Sequence, residues 1–319
     1  MAVCDVNPEQ FSNSQPQLGN IAGAAADIDS TAVRTYRDFD RMLAEEKLDA
    51  VSITVPTHLH AEYSIKALKA GINVLCEKPM ALNIGDCDRM IEAAEKAGRL
   101  LQIGHCIRFW PEYARAGEIV AAGRYGNIVA ATFRRLCARP EWAWRNWVLD
   151  DSQSGGMALD LHIHDSDFIQ YLLGMPAAVR SIGAHSKAGE LVHIITHYLY
   201  DDDRLITAEG SWAAAPGFGF EMSFNIMLEE ATIAYDCTRK PTLRVCPAQD
   251  QEATCQPQQA DGYQREVEHF AARLRGENPP EVITPRQSRE SLRIVQAEIE
   301  SAATGRVVSL KEDKQERNI

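Results

Sequence analysis

Three short apolar runs, at residues 49–56, 72–76 and 100–104, alternate with helix-patterned segments at 60–70 and 84–97. This alternation leaves few folds open. A strand that reaches its successor through a helix must cross over, and such crossovers are right-handed and leave the strands parallel. Residues 1–6 and 32–35 read as further short strands, and 38–46 as a helix with Phe39, Met42 and Leu43 on one side. Residues 9–30 are polar and Gly/Ala-rich, with a helix expected near 20–27. Open parallel sheets bind ligands beyond the carboxyl ends of their strands. Asp5, Thr54 to His58, Glu77-Lys78 and His105 to Arg108 all stand at those ends.

Beyond residue 107 the pattern changes. Strand-like runs at 128–136, 179–185, 192–200, 204–212, 221–228 and 232–235 follow one another without helices between them, and Asp201-Asp202-Asp203 makes a tight connection. That succession predicts a mainly antiparallel, open sheet. Helices are expected at 263–275 and 285–304, the second ending at Gly305. The expected fold class is therefore α/β: a parallel-sheet domain over 1–107, followed by an α+β domain over 108–319. With 319 residues, 45% of them hydrophobic, the chain can bury two cores.

Charge and cysteine usage remove several function classes. A formal net charge of −12 without any basic run disfavours nucleic acid and anionic membrane surfaces as partners. No apolar run reaches the ~18 residues of a membrane span. The eight cysteines contain no Cys-x-x-Cys pair, which fits reduced thiols in a cytoplasmic protein and neither a disulfide framework nor a zinc site.

The segment from Ser154-Gly155-Gly156 to Asp167 carries the most chemistry. If it is helical after the glycines, Asp160, His164 and Asp167 fall at i, i+4 and i+7 and share one face. A carboxylate beside an imidazole is the arrangement proton transfer needs. A solvated polar face would have the same spacing. His162 lies about 200° round from Asp160, which suits a core or interface histidine. The pair His162-x-His164 points its rings to different faces, so no metal is expected.

Four motifs occur in order. Val55-Pro56-Thr57-His58-Leu59-His60 resembles a Pro-x-x-x-His segment, and Cys76-Glu77-Lys78-Pro79 a Glu-Lys-Pro motif. Gly155 to Asp167 resembles a Gly-Gly-x-x-x-Asp-x-x-x-His-x-x-Asp block, and Ser301 to Arg306 a C-terminal helix ending. Together they make the chain similar to the glucose–fructose oxidoreductase/inositol dehydrogenase (Gfo/Idh/MocA) family of nicotinamide-dependent dehydrogenases. The resemblance implies a Rossmann-type first domain and oxidation of a secondary alcohol of a sugar, polyol or related small molecule, with NAD taking the hydride. It implies that Lys78 steadies the developing alkoxide and that His164 is the general base. Asp160 would orient the imidazole or bond the substrate, and Asp167 stays outside the catalytic set. It places Asp5, Thr54, Pro56, His60, Glu77, Lys78, Trp144 and Arg145 on the cofactor side.

Asp5 would bond the adenosine ribose and repel a 2′-phosphate, favouring NAD over NADP; a turn-initiating role before Asn7-Pro8 is its alternative. Trp142, Trp144 and Trp147 fit sugar stacking or plain packing, and Arg108 with Phe109 the domain junction. The open sheet face is the expected homo-oligomer surface. Two other readings accompany this one. The first is an NAD-dependent glycosidase working by transient oxidation and elimination; the second is a cofactor-deficient, non-catalytic relative. The family's opening strand and Gly-x-Gly-x-x-Gly turn have no counterpart, because Met1 to Asp5 matches the second strand. The Rossmann-type sheet is thus N-terminally truncated in this sequence, and upstream coding sequence is expected to supply the rest.

Overall fold

A computed structural model describes residues 1–7, 33–249, 253–255 and 261–311. The helix expected near 20–27 lies outside them. The first part of the chain forms two parallel ladders. Strand β1 (Ala2–Cys4) pairs with β2 (Arg34–Tyr36), and the short helix α1 (Phe39–Glu45) follows, its amino end capped by the Asp38 carboxylate. Strand β3 (Ala50–Ile53), helix α2 (His60–Lys69), strand β4 (Asn73–Glu77), helix α3 (Ile84–Ala97) and strand β5 (Leu101–Gly104) build a second parallel sheet in the order β3-β4-β5. Among the described residues the two ladders are separate sheets. Val74, Leu75 and Cys76 of β4 are all buried, as a central parallel strand covered on both faces requires. Local chemistry sets the helix ends: Asn83 accepts from the Asp86 N–H at the start of α3, and Gly98 takes φ +59° at its end.

After β5 a 3₁₀ turn (Cys106–Phe109) and α4 (Pro111–Ala121) lead into the long strand β6 (Ile128–Ala138). The chain then passes through α5 (Asp151–Ser154) and α6 (Ile163–Leu173). Strands β7 (Ala178–His185), β8 (Leu191–Leu199), β9 (Leu205–Ala214), β10 (Phe220–Leu228), β11 (Ala231–Asp236), β12 (Leu243–Pro247) and β13 (Ala253–Cys255) follow. Helices α7 (Gly262–Leu274) and α8 (Pro285–Thr304) precede the last strand, β14 (Val308–Ser309).

The nine-stranded sheet runs β13-β12-β11-β10-β6-β9-β8-β7-β14. It is antiparallel except at its centre, where β6 and β9 run parallel. Helices α4 and α6 cover one face, with Tyr113 and Phe168 in edge-to-face contact at 4.7 Å beside Phe133 and Phe224. On the other face Ile182, Ile195 and Met227 are exposed. Helix α8 serves both halves: Leu292 and Val295 pack with Val74, Met90 and Ile103 of the parallel layer, and Ile294 and Ala297 pack into the core beneath the large sheet. No described helix is long and apolar enough to cross a membrane.

Candidate active site

Two structural elements bring the site together. The first is the carboxyl end of β4, which delivers Glu77 and Lys78; the Lys78 N–H donates to Glu77 Oε2 at 3.2 Å. The second is the segment after α5. Gly155 and Gly156 there take φ of +79° and +72°. A Cβ on Gly155 would stand 2.2 Å from Leu159 Cδ1, and one on Gly156 2.6 Å from Asp151 Oδ1. Only glycine allows so tight a reversal into the next helix.

That next helix is interrupted near its start. Gly156 and Met157 open it, Ala158–His162 is a π-helical turn, and regular α geometry resumes at Ile163. The expectation of one continuous α-helical face for Asp160, His164 and Asp167 is corrected accordingly, because a widened turn breaks the i, i+4 phase. Asp160 faces Lys78, whose Nζ donates to the Asp160 carbonyl at 2.6 Å and to its Oδ1 at 3.1 Å. Both side chains are only partly exposed, at 15% for Lys78 and 26% for Asp160, so the contact is screened less than a surface pair. Asp160 therefore orients Lys78; no hydrogen bond joins it to the His164 ring.

His164 lies beside this pair with part of its side chain accessible and Nδ1 buried without a hydrogen bond. Burial, with Lys78, Arg135 and His105 adding to it, pushes its pKa well below that of an ordinary imidazole. The ring is therefore neutral near pH 7, which is the form that can accept a proton.

Asp167 is fully buried and away from the cleft. It receives Arg108 Nε and Nη2, each at 2.8 Å, and Ser291 Oγ at 2.7 Å. Arg108 also reaches the Val282 carbonyl and Gln287, so it ties the end of β5 to α6 and α8 as a junction residue should. His162 is a core histidine with its Nε2 3.3 Å from Glu298 Oε2.

The expected cofactor residues divide. Thr54 is exposed and Pro56 half-buried, at the carboxyl end of β3. Asp5 accepts from the Asn7 N–H at 2.7 Å, so at least one of its oxygens makes the turn. His60 is 1% exposed, and its two ring nitrogens lie 2.8 Å from the Pro79 carbonyl and 2.9 Å from that of Val55. It fastens the two proline turns to each other and presents no polar atom to a ligand. Trp144 and Arg145 are exposed on a 3₁₀ segment (Trp144–Leu149), the Arg145 guanidinium 4.4 Å from the Trp144 ring. Arg145 and Asn146 both sit in the left-handed region, at φ 53° and 55°, a strained conformation of the kind that clusters at ligand sites.

The sequence places His105 at a strand end, but its burial, and the placing of Arg135, Asp165 and Glu266, do not show there. His105 is fully buried, with Nδ1 3.5 Å from Asp167 Oδ2, and burial pushes its pKa down to about 4. Arg135 and Asp165 form a second buried pair at 2.9 and 3.0 Å. Glu266, on the inward face of α7 between Gly262 and Phe270, is 3% exposed.

Residues 3–105 match the family model described as an oxidoreductase family with an NAD-binding Rossmann fold, and residues 113–234 match the GFO/IDH/MocA C-terminal domain. The chain belongs to the GFO/IDH/MocA family. Among curated members it is 32% identical over 169 residues to the 2,7-anhydro-N-acetylneuraminate hydratase of Mediterraneibacter gnavus, covering 53% of this chain and 44% of that protein. It is 33% identical over 188 residues to the D-glucoside 3-dehydrogenase of Escherichia coli, covering 58% and 49%. The chain thus spans under half the length of these two relatives. The structure of levoglucosan dehydrogenase with NADH and levoglucosan superposes with a TM-score of 0.80 at 21% identity, over 98% of this chain and 90% of that one. At that identity the likeness concerns the fold of this family member.

Proposed function

We propose that this GFO/IDH/MocA protein is an NAD-dependent oxidoreductase that oxidises a secondary alcohol of a sugar or polyol, reversibly. The observation that carries the reading is the meeting of Lys78, Asp160 and a neutral His164 at the carboxyl end of a parallel strand. Bound NAD would supply the hydride acceptor for the alcohol carbon. Lys78, fixed by the Asp160 carbonyl and carboxylate, presents a positive charge where negative charge develops on the substrate oxygen. His164 takes the hydroxyl proton as that charge forms. Asp160 keeps the lysine aimed.

The described residues fit two parts of such a cofactor. Asp5, at the end of β1, suits an adenosine ribose, and its charge opposes a 2′-phosphate, which favours NAD over NADP. Thr54, Pro56, Glu77 and the Trp144-Arg145 turn suit the nicotinamide half. Among the described residues no Gly-x-Gly-x-x-Gly turn follows a strand, so the pyrophosphate is assigned none of them. We take residues 1–107 as the nucleotide unit and 108–319 as the substrate unit, with α8 bracing both. A second copy of the chain would cover the open face of the large sheet. Cys4, Cys76, Cys87, Cys106, Cys137, Cys237 and Cys246 are free thiols, which suits the reducing cytoplasm.

Calorimetry with NAD, followed by a panel of inositols, aldoses and glycosides assayed for NADH formation, tests the proposal. Binding together with turnover that Lys78→Met abolishes supports it. An active Lys78→Met variant overturns it.

A further inference from the structure

Helix α6 is entered through the π-turn, whose closing bond runs from the Ile163 N–H to the Ala158 carbonyl five residues back. Widened turns of this kind are uncommon and persist where the surroundings over-determine them. Of the five residues, Ala158, Leu159, Leu161 and His162 are buried, and Asp160 keeps a partly exposed side chain beside Lys78. His162 is the polar member of the buried set and is fully enclosed. Two other elements confine its ring. Gly210 of β9 lies against the Nδ1 edge, where a Cβ would come within 2.7 Å of Nδ1 and 3.0 Å of Cγ. Glu298 of α8, also fully enclosed, lies at the other ring nitrogen, with Oε2 3.3 Å from Nε2. Glu298 is itself fixed: Ser166 Oγ donates to its Oε1 at 3.0 Å and stands 3.0 Å from the Tyr198 hydroxyl. Neither nitrogen of His162 makes a hydrogen bond, so the ring is held by contact with these two walls.

We propose that His162 is a positioning residue of the reaction: wedged between Gly210 and Glu298, it sets the π-turn and thereby aims Asp160 at Lys78. Asp160 stands two residues before His162. Its carbonyl receives Lys78 Nζ at 2.6 Å and its Oδ1 receives it at 3.1 Å, and both contacts depend on how the turn is wound. A carboxylate can be re-aimed by a change of rotamer, but a main-chain carbonyl moves only with the turn that carries it. The wedge therefore acts first on the carbonyl contact. An ammonium has three N–H donors; Asp160 takes two, which leaves the third for the substrate oxygen. The role in turnover rests on the dehydrogenase reading, whereas the hold on Lys78 does not.

Two variants disturb the wedge in opposite ways: His162→Ala empties it, and Gly210→Ala pushes a methyl group into it. Ile233→Ala, which opens a cavity in β11 of the large sheet, controls for lost stability. The full chain is treated briefly with an amine-acylating reagent, and labelling of Lys78 is measured against that of the exposed Lys96 by mass spectrometry. Lys78 should label at least fivefold faster in both wedge variants than in the wild type, and at the wild-type rate in Ile233→Ala. A smaller rise in either wedge variant, or an equal rise in the control, overturns the proposal. NADH formation gives a second readout. Lys78 meets a charge that develops only in the transition state, so kcat should fall at least tenfold while KM and NAD affinity stay within threefold. A raised KM at unchanged kcat also overturns it. Turnover that survives Lys78→Met defeats the dehydrogenase reading instead, and the labelling still decides the wedge.

Discussion

Replacing Arg108 by methionine tests how the two halves are held together. Arg108 is 2% exposed and donates to both oxygens of Asp167, to Gln170 at 3.0 Å, to the Val282 carbonyl at 3.0 Å and to Gln287 at 2.9 Å. Methionine fills most of the volume and leaves the Asp167 carboxylate buried, with only Ser291 at 2.7 Å and neutral His105 at 3.5 Å. Breaking a buried pair from one side costs about 3–5 kcal/mol, because a charge is stranded out of water. The glutamines can turn to other partners, so we take about 4 kcal/mol as the expected loss at pH 7.

The pH dependence follows from Asp167. Burial raises its pKa, but Arg108, His105 and Ser291 outweigh burial and hold it below the ordinary range. In the wild type this contribution is present above the unfolded-state value and is lost as pH falls through the lower folded one. In Arg108→Met burial dominates and the carboxyl is raised. The penalty is then full at pH 7 and relieved as pH falls through that raised value. Urea unfolding followed by tryptophan fluorescence, at pH 7 and pH 5, measures both effects. Adding Asp167→Leu should recover most of the loss, since an apolar pair can replace a buried ion pair. A single-variant loss under about 1 kcal/mol, or a double variant no better than the single, would refute the argument.

Three further outcomes are expected. Because burial and its cationic neighbours hold His164 neutral, the acid limb of kcat/KM for oxidation should fall below the ordinary histidine value of about 6.5, and a limb at or above it contradicts the assignment. Gly210→Ala places a Cβ 2.7 Å from His162 Nδ1 in a fully buried contact. It should cost about 1–3 kcal/mol, read as a lower Tm, without changing NAD affinity. Lysine at both Ile182 and Ile195, which face each other across β7 and β8 on the open sheet face, should turn an oligomer into a monomer by light scattering.

Much of this molecule was legible where its determinants are local. The ends of α3 and α8 follow from Asn83, Gly98, Thr284-Pro285 and Gly305, residues whose own chemistry caps helices. The carboxyl-end positions of Thr54 and Glu77-Lys78 followed from strand alternation alone. What stayed hidden depends on distant partners. The parallel pairing of β6 with β9 and the short strands β12 to β14 are set by tertiary packing. His60 sits in a motif that suggests a ligand contact, yet two carbonyls brought by separate loops hold it inward. Asp160 turned to Lys78 because the hydrogen-bond register of its helix changes, and residue type does not announce such a change. Glu266 carries no motif at all; only the fold shows that a carboxyl lies on the inward face of α7.

The π-turn at Ala158–His162 makes the spacing of this segment a matter of counting. Its downstream end is clamped by Asp165 on Arg135 and Asp167 on Arg108, while its upstream end is pinned by the two glycines. Removing one residue from the turn would let it relax to an ordinary α-helix, and everything before the deletion would swing by about 100°. Asp160 would then face away from Lys78, and buried side chains such as Met157 and Leu159 would have to repack. A one-residue deletion here would therefore cost core packing as well as the lysine contact. Natural variation in the length of this segment should accordingly be far rarer than variation in its composition.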